Sequence, residues 1–225
     1  MCSSDLFGGV GDLSAEANIW LGAPSRHPNG NISLGLTVKA PTGGYHATAP
    51  FYGPTGTATE APISPTLQLG DGGWAVSVQG QAFQQVFNRT SAYASGSYSA
   101  SLREHTDEVW QGLLVSVPDT YSARAGLAFA LAPDQGLSAS LGGRIDGTRA
   151  SDLFGGTDDF KREAGYYAYV DPGIAWTMGL NQFTLSVPVR VRANYYTMHL
   201  SNGTDRIGTG GVNDYVIYAG FSRRF

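Results

Sequence analysis

Apolar and polar residues alternate with period two along most of this chain. Between Leu13 and Leu21 the odd positions are Leu13, Ala15, Ala17, Ile19 and Leu21, and the even ones are Ser14, Glu16, Asn18 and Trp20. From Asn31 to Lys39, Ile32, Leu34, Leu36 and Val38 alternate with Ser33, Gly35, Thr37 and Lys39. Such a pattern predicts strands that present one apolar and one polar face. It recurs over Trp74–Phe87, Ala92–Leu102, Tyr121–Leu131, Leu137–Ile145, Tyr166–Met178, Phe183–Tyr195 and Tyr215–Phe225, which makes nine strands and no helix. Most run to about 9–11 residues or a little more, the length that crosses a bilayer when tilted.

The two faces differ in an unusual way. One is rich in Ser, Gly, Thr, Asn, Gln and Arg, as in Tyr93, Ser95, Ser97, Ser99 and Ser101. The other is apolar, with aromatics such as Trp74, Tyr121, Trp176 and Phe225 near strand ends. A polar interior under an apolar exterior is the arrangement of a membrane barrel. The competing reading is a soluble antiparallel barrel or sandwich with one wet face. The connections separate the two. Short links at Asn88–Ser91, Ala132–Gly136 and Gly179–Gln182, with a somewhat longer one at Gly22–Gly30, alternate with long ones at Gly43–Gly72, Arg103–Pro118, Asp146–Gly165 and Ser201–Asp214. Outer-membrane barrels show this asymmetry between tight periplasmic turns and long extracellular loops. The long links also hold most of the carboxylates, among them Glu60, Asp107, Glu108, Asp158 and Asp159. The fold class expected is all-β, an antiparallel up-and-down transmembrane β-barrel.

Composition narrows the function. Charged residues are 14% of the 225, the formal net charge is −4, and Lys is nearly absent, so no basic surface for nucleic acid is implied. The single cysteine excludes a disulfide framework and a multi-cysteine zinc site. No apolar run reaches the roughly 18 residues of a transmembrane helix. No GxSxG, HExxH or P-loop lysine pattern is present, so no catalytic residue, metal or cofactor is assigned. His199 beside Ser201 is the one weak hint of an outer-membrane hydrolase. Glu104–Glu108 is an acidic cluster that a solvated loop explains better than a cation site does.

Both ends of the chain carry information. Met1–Leu6 has neither strand nor signal character and reads as the translation of a sequencing-adapter end. Residues 1–6 are therefore expected to be artefact, with the barrel over residues 7–225. The last strand follows a long link, and counting back makes the first strand run the same way. Since single-chain bacterial barrels have an even strand number, at least one further strand and a signal peptide are expected upstream, for ten strands or more in all. At the other end Tyr215, Ile217, Ala219, Phe221 and Phe225 share one face of a strand ending on an aromatic residue. That matches the C-terminal signal which the barrel-assembly machinery reads by strand addition.

Several stretches carry a family resemblance: NISLGLTVKAPTG (Asn31–Gly43), LGDGGW (Leu69–Trp74), VPDTYSARAGLAFAL (Val117–Leu131), GLSASLGGRIDG (Gly136–Gly147), YVDPGIAW (Tyr169–Trp176) and FTLSVPVRV (Phe183–Val191). With the ending, they resemble the porin-like family of bacterial outer-membrane channels associated with the meta-pathway of phenol degradation. The resemblance implies an outer-membrane barrel and uptake of aromatic or other hydrophobic compounds.

Turning the polar face inward places Glu16, Lys39, Arg124, Arg144, Asp146, Asp171, Arg190 and Arg192 along the lumen. Arg190 and Arg192 are two apart and so share one side of a strand. Arginines in a narrow pore raise the local anion concentration and stack on aromatic rings. The expected function is passive diffusion of small aromatic or anionic solutes, with lipid, lipopolysaccharide and the assembly machinery as partners. The alternative is a plugged structural barrel whose arginines pair with Glu16, Asp146 and Asp171.

Overall fold

The pleat turns the alternating sequence into a sheet. The computed structural model describes residues 8–54, 56–110, 113–154, 164–200, 203–207 and 213–223. In chain order the strands are β1 (Leu13–Trp20), β2 (Gly30–Ala40), β3 (Thr48–Tyr52), β4 (Ala58–Pro62), β5 (Ala75–Phe87), β6 (Thr90–Ser101), β7 (His105–Trp110) and β8 (Leu113–Ser116). They continue with β9 (Thr120–Ala132), β10 (Leu137–Thr148), β11 (Gly165–Met178), β12 (Asn181–Ser186), β13 (Val189–Tyr195), β14 (Thr197–His199), β15 (Asp205–Ile207) and β16 (Tyr218–Arg223).

One antiparallel sheet runs β1-β2-β5-β6-β9-β10-β11-β12-β16, each strand beside its successor along the chain, and curves into a half-barrel. This is the up-and-down order that the alternation predicts. The short links lie at one end and the long ones at the other. The tightest is Asn88–Arg89, where Arg89 takes φ 67°, the one described non-glycine residue with positive φ.

Two local features depart from the sequence reading. The predicted strand Phe183–Tyr195 is broken at Val187–Pro188, so β12 pairs with the lower half of β11 and β13 with its upper half. Proline has no N–H to give the ladder, and Pro188 is fully buried in the break. The long links also fold further than expected. Hairpins β3–β4, β7–β8 and β14–β15 rise from three of them.

Burial is inverted relative to a soluble domain. Only eight hydrophobic residues are buried among those described, and several are alanine or valine. The large apolar side chains, including Leu34, Leu36, Val78, Leu127, Leu141, Val170, Ile174 and Phe221, are exposed. They lie on the convex face. The concave side is identified by its cavities, one of which is lined by both Trp20 of β1 and Tyr218 of β16 at opposite edges of the sheet. Ser95, Ser140 and Ser186 line the same cavity, so the polar positions face inward. A soluble protein rarely leaves more than a few hundred Å² of apolar surface in one patch. Here nearly a whole face of the sheet is apolar.

Candidate functional site

Cross-strand register builds the site. Ser95, Arg124, Arg144, Tyr169 and Arg190 are successive partners on β6, β9, β10, β11 and β13, so three arginines fall in one row across the concave wall. One pleat toward the long loops lie Ser97, Ser122, Asp146 and Tyr167. One pleat toward the short turns lie Tyr93, Gly126, Gly142 and Asp171. The cations are thus bracketed by an aspartate on each side.

Each arginine in the row has an acidic partner. Arg124 Nη2 is 3.3 Å from Asp171 Oδ2, and the Ser186 hydroxyl donates to Asp171 Oδ1 at 2.5 Å. Arg144 Nε donates to Asp146 Oδ2 at 2.8 Å, and the Ser122 hydroxyl donates to Asp146 Oδ1 at 2.7 Å. Arg190 Nη2 lies 2.5 Å from Asp214 Oδ1. Tyrosine rings hold two of the guanidinium planes. Arg124 sits 5.2 Å from the Tyr93 ring centre and Arg144 5.0 Å from that of Tyr218, within the range of cation–π attraction.

Glycine makes room for this stack. A Cβ on Gly142 would stand 2.5 Å from the Tyr93 hydroxyl oxygen, and one on Gly126 2.7 Å from it. The phenol hydroxyl therefore sits over bare glycine on two neighbouring strands, where any side chain would displace it. Among the described residues this hydroxyl, Arg124 Nε, Ser33 Oγ and Asp171 Oδ2 are buried without hydrogen-bond partners, the last having only its ion pair with Arg124.

Of the eight positions expected in the lumen, five meet here: Arg124, Arg144, Asp146, Asp171 and Arg190. Glu16 is on the concave face but far along the sheet on β1, accepting from the Asn18 amide and, at 3.5 Å, from Thr37. Lys39 lies at the long-loop rim, where it bridges Asp12 at 3.0 Å and also contacts Asp71. Arg192 requires a correction. Tyr169 pairs with Arg190 but Ala168 with Arg192, which leaves Val191 as an extra residue. In such a bulge two residues oppose one, so Arg192 takes the convex face of Ala168. Arg190 and Arg192 therefore do not stack on one side.

On the last strand, Phe221 and Ala219 pair with Phe183 and Leu185 on the convex face, and the two phenyl rings are 5.0 Å apart. Tyr215 forms an isolated bridge to Val189, and Tyr215, Ile217 and Phe221 are all exposed. Phe225, residues 1–6, Asp158, Asp159 and Ser201 lie outside the described residues. His199 contacts Asp205 at 2.6 Å on the solvated hairpin β14–β15.

The acidic cluster Glu104–Glu108 joins loops to one another. His46 Nε2 is 3.2 Å from Asp107 Oδ1, and the Gln68 amide donates to Glu108 Oε1 at 3.0 Å. Burial pushes the Glu108 carboxyl above its ordinary range, only partly offset by the Gln68 hydrogen bond. A raised acid favours the docked hairpin in its protonated form, so docking tightens as pH falls through the raised value toward 4.5. Glu108→Gln is expected to raise the melting temperature at pH 7 and to have lost that advantage by about pH 4.5, measured as paired thermal melts.

Sequence reading missed Tyr93, Tyr218 and Asp119. The two tyrosines stood on the correct face, but nothing local told which arginine each would meet. No protein-family model matches the chain, and no curated protein matches it.

Proposed function

We propose that the half-barrel is the wall of a channel for small solutes in a bacterial outer membrane, non-catalytic and without a bound cofactor. The observation that carries this reading is the pairing of a polar concave face, crossed by an arginine row, with a convex face that is apolar apart from Arg192 near the long-loop end. Lipid would cover the convex side, lipopolysaccharide the long-loop rim, and the Tyr215–Phe225 strand would serve the barrel-assembly machinery. The edge strands β1 and β16 run in the same direction, so antiparallel closure takes an odd number of further strands. Anionic or aromatic solutes fit the arginine row, which can offer both charge and a stacking plane.

The test is conductance. The closed barrel containing these strands should give discrete current steps in a planar bilayer. Arg124→Gln with Arg144→Gln should reduce its preference for anions over cations by at least severalfold. A silent bilayer would favour the second reading, a closed structural barrel. That reading has its own support, since all three arginines of the row are paired with aspartate.

A further inference from the structure

The concave face is divided by charge along the barrel axis. Toward the long loops, a cavity of about 570 Å³ is lined by Glu16 and Asp146 and by no cation among the described residues. Toward the short turns, a cavity of about 580 Å³ is lined by Arg124 and Arg144 and by no described carboxylate. The aspartates that balance these two arginines face elsewhere. Asp171 is buried in the wall, and Asp146 belongs to the other cavity. The rest of the basic cavity has an apolar side. Trp20 and Phe83 meet edge-on there, with ring centres 6.0 Å apart.

We propose that this short-turn chamber binds an organic monoanion, a carboxylate joined to a compact apolar body. The proposal rests on the channel reading, because the chamber lies in the proposed conduit. Arg144 spends its Nε on Asp146, and Arg124 spends one terminal nitrogen on Asp171. Planar guanidinium groups held on tyrosine rings are preorganised for a carboxylate, so less side-chain freedom is lost when it binds. The apolar body leaves water against the Trp20–Phe83 wall. The chamber falls within the roughly 300–1,000 Å³ of small-molecule sites. A cation would meet two guanidinium groups, and a neutral analogue would gain only the apolar contact. Glu16 and Asp146 repel the anion from the neighbouring cavity, so it rests at the arginines rather than along the whole wall.

A matched series isolates the charge. The refolded chain in detergent micelles is titrated calorimetrically with cyclohexanecarboxylate, its carboxamide, and cyclohexylammonium, which share one apolar body. The carboxylate should bind at least about tenfold more tightly than the amide, with the cation weakest. Arg144→Gln should weaken the carboxylate by about tenfold and leave the amide unchanged. Arg124→Gln strands Asp171, so Arg124→Gln with Asp171→Asn keeps the wall neutral and should show the same loss. Equal affinity across the series, or carboxylate binding indifferent to both arginine variants, overturns the proposal. Carboxylate binding by a barrel that conducts nothing removes the channel and keeps the chamber. Conductance without discrimination among the three compounds removes the chamber alone.

Discussion

Asp119→Ala should lower the unfolding free energy by about 3 kcal/mol, the largest loss expected from a single polar side chain here. Asp119 is fully buried, and its carboxylate gathers three donors, two from β6 and one from the link after β10. The Ser101 N–H reaches Oδ1 at 2.8 Å, the Leu153 N–H reaches Oδ2 at 2.7 Å, and the Tyr98 hydroxyl reaches Oδ2 at 2.5 Å. The backbone adds to the knot: the Asp119 N–H donates to Asp152 Oδ1 at 2.8 Å, and the Arg149 N–H donates to the Asp119 carbonyl at 3.1 Å. The knot ties the link after β6 to the link after β10 at the rim. Alanine would orphan three donors at once, and each buried unsatisfied donor costs about 1–3 kcal/mol. Asp119→Asn should lose less, since one acceptor oxygen survives. Urea unfolding in lipid vesicles, followed by tryptophan fluorescence, measures both. A loss below about 0.5 kcal/mol for alanine would mean that water replaces the carboxylate, and that the rim is not held in this way.

The second large effect concerns the convex face. Leu36 lies near the middle of β2, opposite Ala17 on β1 and Val78 on β5, and is 49% exposed. If lipid covers this face, Leu36→Arg should cost about 2–4 kcal/mol in a bilayer, the penalty of a cation near the membrane midplane. On a soluble protein the same change at a half-exposed site would fall within about ±0.5 kcal/mol. The control is Ser97→Arg on the concave face, where the side chain points away from lipid and the cost should be small. Measured in vesicles, the difference between the two variants reads the membrane assignment directly. Equal, small effects would move the protein to the class of soluble barrels with a wet face.

How far the sequence was legible follows from particular residues. The strands fall where alternation puts them, with bounds shifted by a few residues at most, save for the break at Pro188. A proline within VPVRV was visible, yet alternation continued through it and gave no sign of two segments. Ser-rich Ala92–Leu102 showed which face of β6 was polar. The hairpins on the long links were not legible, because Thr48–Pro62 and Thr197–Ile207 are too short and too irregular for a period to emerge. Nothing in the local pattern around Asp119 marks it. Only the convergence of Ser101, Tyr98 and Leu153 upon it sets it apart.

The arginines show where the boundary lies. By itself the sequence determined an all-β chain of alternating strands, an apolar and a polar face, and links of alternating length. It could do so because the two-residue pleat repeat is a local property that each segment carries alone. The tertiary structure decided that Arg124, Arg144 and Arg190 form one row, that the Tyr93 hydroxyl sits over Gly126 and Gly142, and that Arg192 faces outward. Those facts depend on register between strands far apart in the chain. A single extra residue at Val191 turns every later side chain to the opposite face, and nothing in the alternation of VRVR announces it.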